Sequence, residues 1–138
     1  KIERKNFSLR ILPLICYEII YTGNLFKDLN FDVIINISED GWFGDSIGPE
    51  QHFAHSIFRA IESGKYVLRS ANNGVAAVIN PLGIIEKKVN FGVSGYIDHA
   101  ENYIIQPTIF SLYGNKMFGL LILLYIFLIF SFNRMYNE

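Results

Sequence analysis

The residue pattern predicts an α/β fold that ends in one long apolar helix. Three observations carry that expectation. Residues 32–38 read DVIINIS, a nearly continuous apolar run of the kind found in strands covered on both faces. From Pro49 onward, Phe53, Ile57, Phe58 and Ile61 recur at helical spacing until Gly64, and another strand-like run follows, so strand and helix alternate. Residues 117–132 read MFGLLILLYIFLIFSF, with no charge and no polar face at any helical phase.

Taken in order, residues 10–17 form the first expected strand, which ends at Cys16-Tyr17-Glu18. Residues 23–29 read as a short helix, with Leu25, Phe26 and Leu29 sharing a face. The strand at 32–38 runs into a loop over 39–49 that contains Gly41, Gly44 and Gly48. Pro49 suits a first helical turn and Gly64 a helix stop. Residues 66–70 are a third strand. Asn72-Asn73-Gly74 is a turn signal, and residues 75–79 pair back as a hairpin. Pro81-Leu82-Gly83 turns the chain into a strand over 84–89. Residues 90–108 form a polar connection with strand character around 103–106.

Composition narrows the classes of function. With 12 basic and 13 acidic side chains in 138 residues, the chain has no electrostatic footprint for nucleic acid. The uncharged residues 117–133 would span about 25 Å as a helix. Lys116 and Arg134 flank them and can snorkel outward, and Tyr113 and Tyr136 sit where interfacial aromatics belong. A membrane span is therefore expected, in preference to a buried hairpin or core helix. Residues 1–10 carry four basic side chains but no following apolar stretch of signal-peptide type. The chain is expected to open within a domain, with an upstream part missing.

Cys16 is the one cysteine, so no intramolecular disulfide is possible. At the end of a short apolar run it is either a nucleophile held at an exposed strand tip or a small buried apolar side chain. His52 and His55 stand three apart on the expected helix, but no third ligand accompanies them, and neither a metal nor another cofactor is expected. Those two read as solvated or helix-packed, and His99 has no context. Arg59 and Glu62 read as a structural ion pair, and Asn72 and Asn73 as turn formers.

Arg59-Ala60-Ile61-Glu62, followed after a strand by Arg69-Ser70-Ala71-Asn72-Asn73-Gly74, resembles the nitrilase (carbon–nitrogen hydrolase) superfamily. In that superfamily a strand ends in a nucleophilic cysteine, and Cys16 falls at the matching place. Three further segments resemble its membrane-embedded branch, the apolipoprotein N-acyltransferases. They are Ile15-Cys16-Tyr17-Glu18, the run GWFGDSIGP from Gly41 to Pro49 with Gln51-His52, and the apolar helix after Tyr113-Gly114-Asn115. The likeness covers about residues 9–132.

The resemblance implies the carboxyl-terminal part of a nitrilase-like α-β-β-α sandwich (residues 1–112), a transmembrane helix (113–134) and a short tail (135–138). It implies an acyltransferase that moves an acyl chain from a phospholipid, through a Cys16 thioester, to the amino terminus of a diacylglyceryl apolipoprotein. The expected location is the bacterial inner membrane, with the catalytic domain on the periplasmic face. Cys16 is the implied nucleophile, Tyr17 a backbone oxyanion donor and Glu18 a supporting carboxylate. Trp42 and Phe43 either contact acyl chains or close their loop onto the core. The family's glutamate and lysine lie well upstream of the cysteine, and Glu3 and Lys5 are too close to the strand to replace them. The chain alone is thus expected to be inactive, with a separately encoded amino-terminal half as a conceivable partner. The competing readings are a soluble nitrilase-type amidase and a membrane-anchored remnant without chemistry.

Overall fold

A computed structural model describes residues 2–4, 7–23 and 28–136, with side chains from residue 8 onward. A small antiparallel pair, β1 (Ile2–Arg4) and β2 (Phe7–Leu9), precedes the main sheet. The sheet contains β3 (Ile11–Ile15), β4 (Val33–Glu39), β5 (Tyr66–Asn72), β6 (Ala76–Ile79) and β7 (Ile85–Val89), side by side in that order. The first three strands are parallel and the last two antiparallel. The helix α1 (Gly48–Ser63) crosses from β4 to β5, and Gly64 ends it in the left-handed conformation at φ 67°. This is the layered α/β architecture that the alternation predicted.

The core lies between the sheet and α1. Leu14, Ile34, Val67, Ala77 and Ile79 pack there with Ala60 of α1 and with Ile19 and Phe31. The strand register places these residues on one sheet face. On the other face Val33, Tyr66 and Val78 are buried, with Leu9, Ile11, Leu68 and Ile97 packed against them. That second cover is incomplete: Ile15 is 67% and Ile37 59% exposed. An open cleft of about 400 Å³ lies on this face, lined by Ile35, Leu68, Val78, Val89 and Tyr96 among others.

Several sequence expectations change. The first strand stops at Ile15 instead of residue 17, because Cys16–Ile20 turns into a 3₁₀ helix. No strand forms at 103–106. The backbone there is held by the end of α1 instead, Ile105 N donating to Gly64 O at 3.0 Å and Thr108 N to Glu62 O at 3.1 Å. Of the apolar residues whose spacing marked α1, Phe53 and Ile57 pack against the core while Phe58 and Ile61 are exposed; His52, Ser56, Arg59, Ala60, Glu62 and Ser63 are buried. The helix expected at 23–29 falls largely on residues 24–27, which lie outside the described residues.

Beyond the sheet, α2 (Ile109–Tyr113) is capped by Thr108, whose hydroxyl accepts from Ser111 N at 3.2 Å. Then comes α3 (Lys116–Tyr136), 21 residues with no buried side chain, long and apolar enough to cross a membrane. At 1.5 Å per residue it reaches about 32 Å, the thickness of a hydrocarbon core.

Candidate active site

The carboxyl ends of the parallel strands β3, β4 and β5 lie together, the edge where open α/β sheets place their ligands. Cys16 stands there, directly after β3, with φ +49°. A side chain other than glycine pays for that left-handed backbone with about 1–2 kcal/mol, so surrounding structure must hold it. The thiol is half-buried, and Ser38 Oγ of β4 lies 3.8 Å from its sulfur.

What holds Cys16 is a buried polar network between the sheet and α1. His52 Nε2 lies 3.2 Å from the Cys16 carbonyl oxygen, and because a carbonyl can only accept, that nitrogen carries a hydrogen. Asn36 Nδ2 donates to Leu14 O at 3.0 Å and reaches Cys16 O at 3.5 Å. The other imidazole nitrogen, Nδ1, pairs with Asp40 Oδ1 at 2.9 Å. Asp40 also accepts from Ser38 Oγ at 2.7 Å and from Arg69 Nη2 at 2.6 Å. Arg69 in turn donates to Asn36 Oδ1 and, through Nε, to Val75 O at 3.2 Å. Asn36, Ser38, Asp40, His52 and Arg69 are all buried, and such groups are costly unless paired this fully.

The charge of Asp40 fits this setting. Burial works to raise its pKa, but the Ser38 hydrogen bond, the Arg69 charge and the His52 contact prevail, and the carboxyl is held below its ordinary value. The turn after β5 closes on the same group. Gly74 leaves no room for a side chain, since a Cβ there would come within 2.2 Å of Asp40 Oδ2.

Tyr17, Glu18, Trp42 and Phe43 occupy the rim. The Glu18 carboxylate folds back to accept from Ile15 N at 2.7 Å, bracing the turn that carries the thiol. The Tyr17 ring stacks on His52 at a centroid distance of 5.5 Å, and Phe43 packs against both at 6.1 and 5.5 Å. Phe43 therefore closes its loop onto Tyr17 and His52. Trp42, one residue earlier, is 86% exposed and points away from that packing. Glu39 braces the neighbouring loop, accepting from Gly41 N at 2.7 Å, from Asn73 Nδ2 at 3.1 Å and from Asn72.

Arg59 and Glu62 do form an ion pair, at 3.1 Å, which also ties α1 to Thr22 and to the Tyr21 carbonyl. His52, by contrast, is no solvated or merely packed helix residue; it belongs to the network beneath Cys16. Asn36, Ser38, Asp40 and Arg69 were likewise not legible as site residues. Their signal was parity: Asn36 and Ser38 fall two and four residues after Ile34, and Arg69 two after Val67, so these polar side chains share the core-facing side.

Residues 5–100 match the family described as Carbon-nitrogen hydrolase. Among curated proteins, the chain is 42% identical over 134 residues to one named apolipoprotein N-acyltransferase from Rickettsia bellii, covering 96% of this chain and 26% of that protein. It is 42% identical over 137 residues to a protein of the same name from Rickettsia prowazekii, covering 97% of this chain and 27% of that one. A third of that name, from Wigglesworthia glossinidia brevipalpis, is 44% identical over 97 residues, 69% of this chain and 19% of the relative. The chain thus spans about a quarter of the length of the Rickettsia relatives.

Proposed function

The chain belongs to the carbon-nitrogen hydrolase family, and from that premise we propose that it is the thiol-bearing part of an apolipoprotein N-acyltransferase. The observation that carries this reading is Cys16 itself, a strained, half-buried thiol at the carboxyl edge of a parallel sheet, braced from below by buried polar groups. The likeness to proteins of that name and the fully exposed apolar α3 support the acyltransferase branch over a soluble amidase.

In this reading the Cys16 thiolate attacks the ester carbonyl of a phospholipid. The new C–S bond forms as the carbonyl electrons move onto oxygen, and the resulting oxyanion meets the Tyr17 N–H. Collapse breaks the C–O bond, and the leaving lysophospholipid oxygen takes a proton from a general acid. An α-amino group of a diacylglyceryl-cysteine then attacks the thioester, loses its proton to the same group acting as base, and leaves with the acyl chain, which regenerates the thiolate. Glu18 supports the turn, and Trp42 meets the acyl chain at the lipid surface. The base and the lysine that the family resemblance calls for are assigned to the part of the family's length that these residues do not span. Residues 1–112 then form the catalytic portion, 113–134 a span that holds it at the outer face of the inner membrane, and 135–138 a tail.

The test uses the complete polypeptide from the reading frame in membranes, with a phospholipid donor and a diacylglyceryl-cysteine peptide as acceptor. Cys16→Ala is expected to abolish acyl transfer and leave membrane insertion intact. Full acylation of the peptide by that variant would refute the proposal.

A further inference from the structure

The carbonyl of Cys16 and the N–H of Tyr17 belong to one peptide unit. That unit is planar and trans, so its C=O and N–H point in opposite directions, and fixing one aims the other. His52 Nε2 and Asn36 Nδ2 hold the Cys16 oxygen on the buried side, at 3.2 and 3.5 Å. The Tyr17 N–H is thereby turned outward, to the side away from the core. Local backbone preference does not supply this orientation, because Cys16 sits at φ +49°, where a residue with a Cβ is disfavoured.

The imidazole is itself set by its surroundings. Asp40 Oδ1 takes Nδ1 at 2.9 Å, Ser38 and Arg69 fix that carboxylate, and the Tyr17 ring covers the imidazole face. The ring therefore cannot rotate to another partner without breaking the Asp40 contact. The arrangement resembles a second layer around a working group, in which partners orient a residue that does not itself meet the substrate.

We propose that His52 is a positioning residue that, keyed by Asp40, aims the Tyr17 amide at the oxyanion formed when Cys16 is acylated. The inference rests on reading Cys16 as the acylated nucleophile, and goes beyond it by giving a role to a side chain that never touches lipid. Donors of this kind work because they are already aimed where charge develops. Loss of aim is therefore a loss of rate and leaves lipid binding unchanged.

The experiment measures single-turnover thioester formation on the complete polypeptide in membranes, with labelled phospholipid over a range of concentrations. It compares His52→Gln with His52→Met. The two side chains are similar in length and both fill the space, but only glutamine keeps an N–H donor for the Cys16 carbonyl. The Met variant is expected to form thioester about a hundredfold more slowly at saturating lipid, with the half-saturating lipid concentration unchanged, and the Gln variant to recover most of the rate. Wild-type rate in the Met variant, or equal loss in both with matched thermal unfolding, would overturn the inference. Absence of thioester on Cys16 in the unsubstituted protein is a separate result and overturns the underlying assignment of the nucleophile.

Discussion

The carboxylate of Asp40 lies among donors from three elements: Ser38 of β4, His52 of α1 and Arg69 of β5. Asp40 is therefore one source of acid sensitivity, beside Asp32 and Glu39, whose carboxyls are also held below their ordinary values by hydrogen bonds from Arg10 and from Asn72. The folded pKa of Asp40 lies below the unfolded value of 3.8. As pH falls through 3.8, the unfolded chain binds the proton first, so stability drops from there down through the folded pKa; above 3.8 the contribution is fully present. Asp40→Asn is expected to lower stability at neutral pH by about 3 kcal/mol, since one partner of a buried pair is removed. It should also flatten the decline below pH 3.8, as followed by urea unfolding with circular dichroism across pH. An unchanged acid profile in the variant would mean that another carboxylate governs it. The residues of this network were hidden in the sequence because each has an ordinary local explanation. His52 reads as a helix histidine and Asn36 as a weak point in an apolar strand. Only the three-dimensional meeting of β4, α1 and β5 shows them as one unit. Cys16 was legible because its type, its uniqueness and its place at a strand end all point the same way.

At the scale of elements, the periodic signals were the dependable ones. The strands at 32–38, 66–70 and 84–89 and the helix ending at Gly64 all formed within one or two residues of expectation. The exception at 103–106 had β-type residues, but the end of α1 took the Ile105 N–H bond instead of a neighbouring strand. On α1, periodicity located the helix but did not reveal its buried polar side, where His52 and Ser56 meet the network. The helix α3 is longer than the uncharged run suggested, because Lys116 and the residues through Tyr136 continue it. Ile126 lies at its centre. Ile126→Arg is expected to cost about 3 kcal/mol of insertion free energy, because a charge is placed near the bilayer midplane. Carbonate extraction of membranes bearing the 138-residue chain should move that variant from pellet to supernatant or aggregate; retention at the level of the unsubstituted chain would argue against α3 as a span.

For the whole molecule, the parts fit one arrangement. A sheet covered on one face by α1 places the candidate site at the ends of its parallel strands, and an exposed apolar helix follows at the carboxyl end. The fold class followed from the alternation of strand and helix. On the other face the cover is incomplete, with Ile15 and Ile37 exposed. What no single segment revealed was how Cys16 is held: its left-handed backbone, its carbonyl bonded from below and its neighbouring amide turned outward arise only when distant segments meet. The central claim is that this sulfur becomes acylated. Its most direct test is to trap the complete polypeptide during turnover with isotope-labelled phospholipid and map the label by peptide mass spectrometry. The account predicts a hydroxylamine-sensitive acyl group on Cys16. Label on another residue, with Cys16 recovered as free thiol while acceptor peptide is being acylated, would contradict it.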